Sequence, residues 1–177
     1  MFVGDEVMLG LSFRAAQTRL ANLAHGGLLS SVSQGAYRDG LAGLIRVGPM
    51  GAVPGASKLV EVRFRDLVTR DDTALLTLRW EATGPGGALF PALDADITLT
   101  PAGDQATRLT LAGAYRPPLA GLGGGIDRAI LHRVATATVR SLVGRVAAAL
   151  ANPESAAAGA AAARAWPHAA RAASEAG

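Results

Sequence analysis

Residues 94–150 decide the fold, and they read DADITLTPAGDQATRLTLAGAYRPPLAGLGGGIDRAILHRVATATVRSLVGRVAAAL. Along the first part, the apolar residues Ala95, Ile97 and Leu99 alternate with aspartates and threonines. A period of two is typical of an antiparallel strand that has one buried and one exposed face. This part of the chain therefore predicts a half-buried strand.

A second strand follows after a turn. The turn signal is Pro101–Asp104, because proline presets one backbone dihedral and glycine accepts left-handed geometry. Beyond it Leu109, Leu111 and Tyr115 lie on one face of another alternating segment, so the two segments predict a hairpin. The pair Pro117–Pro118 ends the second strand, because proline has no N–H for a ladder.

A long helix closes the stretch. After the glycine-rich run 121–125, an amphipathic helix of roughly six to seven turns is predicted from Asp127 onward. Asp127 in its first turn complements the helix dipole, and Arg133 and Arg140 fall on the polar side. The predicted apolar stripe consists of Leu131, Val134, Ala135, Thr138, Leu142 and Val146.

The preceding chain predicts most of a sheet. A first strand at 5–13 is followed by a helix at 14–24, which His25 and two glycines end, and by a short helix at 28–37. The turn signal Asp39–Gly40 and a short apolar run predict a strand at 41–47. Alternating segments predict further strands near 60–65 and 76–82.

This element order predicts an α+β fold. About six antiparallel strands follow the two short helices, so hairpins build one curved sheet, and the long C-terminal helix covers its apolar inner face. We expect a single domain over residues 1–151. Residues 152–177 form an alanine-rich tail with little to bury, which we expect to be mobile or loosely helical.

Composition excludes several classes of protein. Half of the 177 residues are apolar, yet no run approaches the roughly 18 consecutive apolar residues of a membrane span. The N-terminus lacks the basic start and apolar core of a signal peptide, and the chain has no cysteine. We therefore expect a cytoplasmic protein that does not insert into a membrane.

The charge does not indicate a nucleic-acid partner. The isoelectric point is about 10.2, but the net charge is only +3 and Lys58 is the single lysine. The arginines are scattered among acidic residues, whereas nucleic-acid-binding proteins concentrate basic and aromatic residues on one face. We expect no nucleic acid among the partners.

The chain resembles the SRPBCC, or START-like, superfamily. The resemblance covers residues 3–150 and is best at 93–150, where a Tyr, a Pro-Pro elbow, a glycine-rich turn and an Asp-headed helix resemble actinobacterial polyketide cyclase/dehydrase-like members. It implies the helix-grip fold, with an elongated cavity between sheet and long helix for lipids, polyketides or similar molecules. The superfamily includes carriers, cyclases and chaperone regulators, so the resemblance leaves the activity open.

Candidate cavity residues follow from the predicted inner faces. Trp80 and Tyr115 lie on apolar strand faces, and Thr138 lies within the helix stripe. Each could serve a ligand, or could be packed core with its polar group satisfied internally. The apolar candidates are Phe64, Leu78, Leu111, Leu131, Val134 and Leu142.

Two ionisable residues are further candidates. Continued alternation after Phe64 would turn Asp66 inward, although strands often bulge or end at such a position. His132 flanks the helix stripe, where a role as general acid or base competes with ordinary surface exposure. Asp94 and Asp96 share the face opposite the apolar one. The spacing of the histidines predicts no metal site, and no cofactor is expected.

Three functions are compatible with this sequence. The first is binding or carriage of a small hydrophobic ligand, which the apolar inner faces and the lack of a catalytic constellation favour. The second is a cyclase or dehydratase that uses the same cavity. The third is an interaction module that contacts a protein through the helix and tail; the sequence identifies no such protein.

Overall fold

The computed structural model describes residues 1–47, 60–82, 92–116, 128–155 and 157–158. These residues form six strands and three main helices. In chain order they are β1 (Phe2–Leu9), α1 (Phe13–His25), α2 (Leu28–Val47), β2 (Val60–Phe64), β3 (Val68–Arg70), β4 (Thr73–Ala82), β5 (Ala92–Gly103), β6 (Ala106–Arg116) and α3 (Arg128–Ala151). The predicted glycine-rich elbow, Asp127 and the tail beyond residue 158 lie outside the described residues.

The strands form one curled antiparallel sheet, and the helices pack on its concave face. The strand order is β1-β6-β5-β4-β2, with β3 also paired to β4. Helix α3 lies against β1 and β6, while α2 packs between α3 and β2. The predicted α+β helix-grip fold, with two helices after the first strand and a long C-terminal helix on the sheet, is confirmed.

Alternation along the strands separates core from solvent. Directly opposed residues of antiparallel strands share a face, and Leu76, Ile97 and Leu111 lie opposite one another in β4, β5 and β6. All three are buried, whereas Asp94 and Asp96 of β5 are exposed. The period of two therefore identified the buried face of this hairpin correctly.

Helix α3 supplies the other half of the core. Its buried residues are Val134, Ala135, Thr138, Val139, Leu142, Val143, Val146, Ala149 and Leu150. Its last carbonyls are capped from α1, because the Arg19 guanidinium donates to the oxygens of Leu150 at 2.7 Å and Ala151 at 3.1 Å. The segment Leu131–Ala151 is long and apolar enough to cross a membrane, but half of its most apolar stretch is buried inside the protein, as in a core helix.

The first strand and helix meet earlier than predicted. Strand β1 ends at Leu9, so the strand predicted over 5–13 was placed too far toward the C-terminus. Helix α1 begins at Phe13. Ser12 is the reason, because its hydroxyl caps the helix by accepting from the amide of Ala15 at 3.4 Å. Serine is a favoured N-cap residue.

The second helix is longer than predicted. The strand expected at 41–47 was wrong, because α2 continues through Asp39–Gly40 to Val47. Leu41 and Leu44 follow Tyr37 at helical spacing, so the same apolar residues also fit a helix. Packing of α2 against α3 outweighs the local turn signal.

The turn expected at Pro101–Asp104 lies slightly closer to the C-terminus in the structure. Strand β5 continues to Gly103, and the turn is Asp104–Gln105. Proline is tolerated in β5 because the pairing with β4 ends at Leu99 and Ala74, so no strand on that side needs its missing N–H.

A close approach between β5 and β6 requires a glycine at position 113. Gly113 lies opposite Ala95. A Cβ atom on Gly113 would lie 2.5 Å from the Cα atom of Ala95 and would overlap the carbonyl oxygen of Asp94. Since both neighbours are backbone, they cannot move aside without breaking the strand pairing.

We therefore expect Gly113→Ala to lower the free energy of unfolding by at least about 2 kcal/mol, through overpacking. Gly144→Ala is the matched control, because nothing lies within 4 Å of a Cβ atom there and the residue is exposed on α3. It should raise the stability by up to about 1 kcal/mol through helix propensity. Denaturant titration of both variants measures the difference. Equal effects would contradict the close approach.

Candidate functional site

Two aromatic side chains project from one row of the sheet. Trp80 of β4, Leu93 of β5 and Tyr115 of β6 lie opposite one another, and each is at most 2% exposed. Because neighbouring strands are about 4.8 Å apart, Trp80 and Tyr115 are about 10 Å apart at their backbones. The row places one indole and one phenol in the layer beneath the helices.

Helix α2 contributes two further buried polar residues, and one of them, Tyr37, lies against this row. Ser33 and Tyr37 are one turn apart on the same helix face, and both are buried. The Tyr37 ring meets the Trp80 ring edge to face, with centroids 6.0 Å apart and an interplanar angle of 84°. Neither residue was predicted as a site candidate, although Leu29, Ser33 and Tyr37 recur at four-residue spacing in the sequence.

Thr138 of α3 approaches from the other side. Its hydroxyl donates to the carbonyl oxygen of Val134 at 2.8 Å, so its only hydrogen is used within the helix. It lies near the Tyr115 hydroxyl and influences its pKa, without a hydrogen bond of ordinary geometry between the two. The oxygen of Thr138 can therefore only accept a further hydrogen bond.

Four polar atoms in this region are buried without a hydrogen-bond partner among the described residues. They are Ser33 Oγ, Tyr37 Oη, Trp80 Nε1 and Tyr115 Oη, and we call these four residues the buried polar cluster. Buried polar groups are nearly always hydrogen-bonded, because leaving one unpaired costs about 1–3 kcal/mol. A concentration of four at one place is typical of a binding site.

The cluster strongly disfavours negative charge. Burial raises the pKa of the Tyr37 hydroxyl to about 12. Burial also raises the pKa of the Tyr115 hydroxyl, a charge on Tyr37 would raise it further, and the Thr138 hydroxyl opposes the rise. Both phenols are therefore neutral hydrogen-bond donors at physiological pH.

The opposite end of the layer is apolar and closed. There Ile97, Leu109 and Leu111 of the sheet meet Val143 and Val146 of α3, and no space for a water molecule is left between them. Dispersion contacts are continuous at this end. The polar cluster thus lies at one end of a layer whose other end is packed core.

The predicted apolar candidates lie along this layer. Leu78, Leu111, Val134 and Leu142 are buried, whereas Phe64 and Leu131 are half-buried at its margins. Phe64 packs against the core cluster from β2. The structure brings Trp80, Tyr115 and Thr138 together in the same region as Tyr37, while Leu111 belongs to the closed end.

Asp66 does not point inward. Phe64 pairs with Leu78 and Val68 with Leu75, so three residues of this edge oppose two of β4. The extra residue is a β-bulge that shifts the alternation by one, which turns Leu67 toward the core and leaves Asp66 exposed.

His132 is also exposed, on the outward side of α3. It precedes the buried residue Thr138 by six residues on the helix and faces away from the apolar stripe. Among the residues that the structure describes, no three His, Asp or Glu side chains converge as metal ligands would.

No protein-family model matches the chain, and no curated protein matches it in sequence. Its structure is similar to that of a conserved protein from Geobacillus kaustophilus, with 17% identity, a TM-score of 0.48, and coverage of 84% of this chain and 93% of that one. It is also similar to an aromatase/cyclase from a Streptomyces species, with 10% identity, a TM-score of 0.35, and coverage of 87% and 98%. A START superfamily protein from Mycobacterium smegmatis shows 10% identity, a TM-score of 0.26, and coverage of 82% and 96%. At these identities the likeness concerns the fold alone.

The tyrosines offer a direct test of the cluster. The chain contains two tyrosines, and both belong to it. Absorbance titration should show both phenols ionising above the ordinary value of about 10 in the folded protein, and near 10 in denaturant. Between about pH 10 and 12 the unfolded chain has lost the Tyr37 proton that the folded protein keeps, so stability should fall as pH rises through this window. Phenols that ionise near 10 in the folded protein would show that water solvates the cluster.

Removing an unpaired hydroxyl should not destabilise the empty protein. We expect Tyr115→Phe to raise the free energy of unfolding by about 1 kcal/mol, because the buried oxygen loses no partner. Thr107→Val is the matched control: its buried hydroxyl donates to the oxygen of Leu11 at 2.8 Å, so its removal should cost about 1 kcal/mol. Denaturant titration distinguishes the two, and a loss of stability in Tyr115→Phe would mean that its hydroxyl is already satisfied.

Proposed function

We propose that this protein binds or carries a small hydrophobic ligand between its sheet and its C-terminal helix. The ligand occupies the end of the layer that holds the buried polar cluster. Its apolar body contacts the inner faces of β4, β5 and β6 and of α3, and its polar group meets Tyr37, Trp80 or Tyr115. A lipid-like or polyketide-like molecule has this chemistry.

One observation carries the proposal. Four polar atoms are buried in this region without a partner in the described part of the chain, and their residues are at most 4% exposed. A packed core would either satisfy such groups or replace them by apolar ones, because each costs stability. Apolar surroundings with a few convergent polar groups are typical of small-molecule sites.

The surrounding residues suit a hydrophobic body. Leu78, Leu93 and Val134 are buried around the cluster, and Leu131 and Phe64 are half-buried beside it. None of these side chains offers a hydrogen bond. Affinity would come from apolar surface, at about 25 cal/mol per Å² removed from water, and orientation from the polar atoms.

An enzyme of the cyclase or dehydratase type is the second candidate, in line with the resemblance to actinobacterial cyclase-like proteins. The neutral phenol of Tyr115 favours it, since a protonated hydroxyl can polarise a substrate carbonyl. A base is also needed for such chemistry. Asp66 and His132, the ionisable candidates, are both exposed, so binding is the better-supported function.

The proposed partner is thus a small molecule taken up from the cytoplasm, not a nucleic acid or a bilayer interior. The acidic and basic side chains of the outer sheet face support this, because they pair with one another: Arg79 lies 3.0 Å from Glu81 and 3.5 Å from Asp94. Mixed charges of this kind offer no continuous basic surface.

Native mass spectrometry of the gently purified protein tests the proposal. We expect a stoichiometric adduct of a hydrophobic molecule, which extraction then identifies. The variant Trp166→Phe, in which Trp80 is the single tryptophan, should report rebinding of the extract through its fluorescence. A clean mass of the empty protein, with no thermal shift against lipids and polyketides, would argue against a ligand site and favour an interaction module.

A further inference from the structure

The buried polar cluster offers a ligand neutral hydrogen-bonding groups. The Trp80 indole can only donate, and both phenols keep their protons because burial raises their pKa. Ser33 adds a hydroxyl that can donate or accept. Thr138 contributes only an accepting oxygen, since its hydrogen is used on Val134. A ligand therefore meets three donors that keep their hydrogens at physiological pH, and the acceptors it meets are neutral hydroxyl oxygens.

No arginine, histidine or carboxylate is among the groups that shift the pKa of the two phenols. Burial, the two phenols and Thr138 account for these shifts. The surroundings that disfavour tyrosinate would disfavour a ligand carboxylate for the same reason. A buried ammonium group would also lose its hydration, with no carboxylate to compensate.

On the basis of the proposed function, we infer that this site selects neutral ligands that carry a carbonyl or similar acceptor oxygen, and rejects free fatty acids and amines. The acceptor oxygen takes hydrogen bonds from Tyr115 and from Trp80 or Tyr37, which satisfies atoms that are otherwise unpaired. A ketone, quinone or ester meets this requirement. A plain hydrocarbon fills the space but leaves the donors unpaired.

The spacing of the donors supports a ligand of modest width. Trp80 and Tyr115 lie in the same row, about 10 Å apart at the backbone, and both side chains point to the same face. Tyr37 extends over Trp80 from α2. The donors thus come from β4, β6 and α2, so an acceptor bound among them would be held from more than one side.

A matched set of probes tests the inference. Benzophenone, diphenylmethane, diphenylacetate and diphenylmethylamine share one apolar scaffold and differ in the polar group. A second set carries ketone, methyl, carboxylate and amine groups on linear chains of equal length. Equilibrium dialysis near pH 8 should show each ketone binding about 10-fold tighter than the matched hydrocarbon, the worth of about one hydrogen bond, and at least about 10-fold tighter than carboxylate or amine.

Variants connect the preference to the cluster. In Tyr115→Phe the ketone should lose most of its advantage, while the hydrocarbon keeps its affinity. Thr107→Val should leave the ratio unchanged, since that hydroxyl bonds to Leu11 outside the cluster. If Tyr115→Phe does not fold, Tyr37→Phe tests the same point from α2.

The possible results distinguish failure of the inference from failure of the proposed function. Ketone preference that depends on Tyr115 or Tyr37 supports the inference. Equal binding of all four head groups, or tighter binding of the carboxylate, overturns the inference and leaves the proposed function standing. If no probe of either set binds, the proposed function fails with it.

Discussion

The burial of α3 in the concave sheet is the constraint on which the other features depend. A strand pair with one apolar face and a helix with one apolar stripe cannot bury these surfaces alone, and each supplies what the other needs. The sheet must curl to enclose a cylinder, and its strands β5 and β6 come close at Gly113 and Ala95. Arg19 of α1 then closes the exposed end of the helix by capping Leu150 and Ala151.

Helix and sheet meet differently at the two ends of this layer. At one end Leu109 and Ile97 contact Val143 and Val146 without a gap, so this end provides cohesion. At the other end the sheet contributes Trp80 and Tyr115, and α2 contributes Tyr37. Large side chains with polar tips replace branched aliphatic ones there. The apolar end can hold the fold together while the polar end provides the site of the proposed ligand.

Local periodicity accounts for what could be predicted from the sequence. The stripe of α3 and the alternation through Ile97 and Leu99 were recognisable because neighbouring residues in the chain determine them. A single inserted residue after Phe64 was sufficient to make the inward prediction for Asp66 wrong, since Leu67 takes the inward position instead. No local pattern contains the position of such a bulge.

Long-range packing accounts for what was missed. Helix α2 continues through Asp39–Gly40 because it packs against α3. The local sequence contains the turn signal but no information about this long-range packing. For the same reason Tyr37 was not predicted as a site residue, because a helix that ends at Tyr37 gives no reason to place that residue over Trp80. The two halves of the cluster, separated by more than forty residues, become neighbours only once the fold is complete.

The buried polar cluster lowers the stability of the domain when no ligand is bound. The four buried groups that have no partner among the residues the structure describes, at about 1–3 kcal/mol each, would offset much of the roughly 5–15 kcal/mol by which a typical domain is stable. Apolar substitutions such as Phe for Tyr115 would remove that cost without changing the shape of the core. The proposed ligand would satisfy these polar atoms with its oxygen, and its binding would then recover the stability that the empty site forgoes.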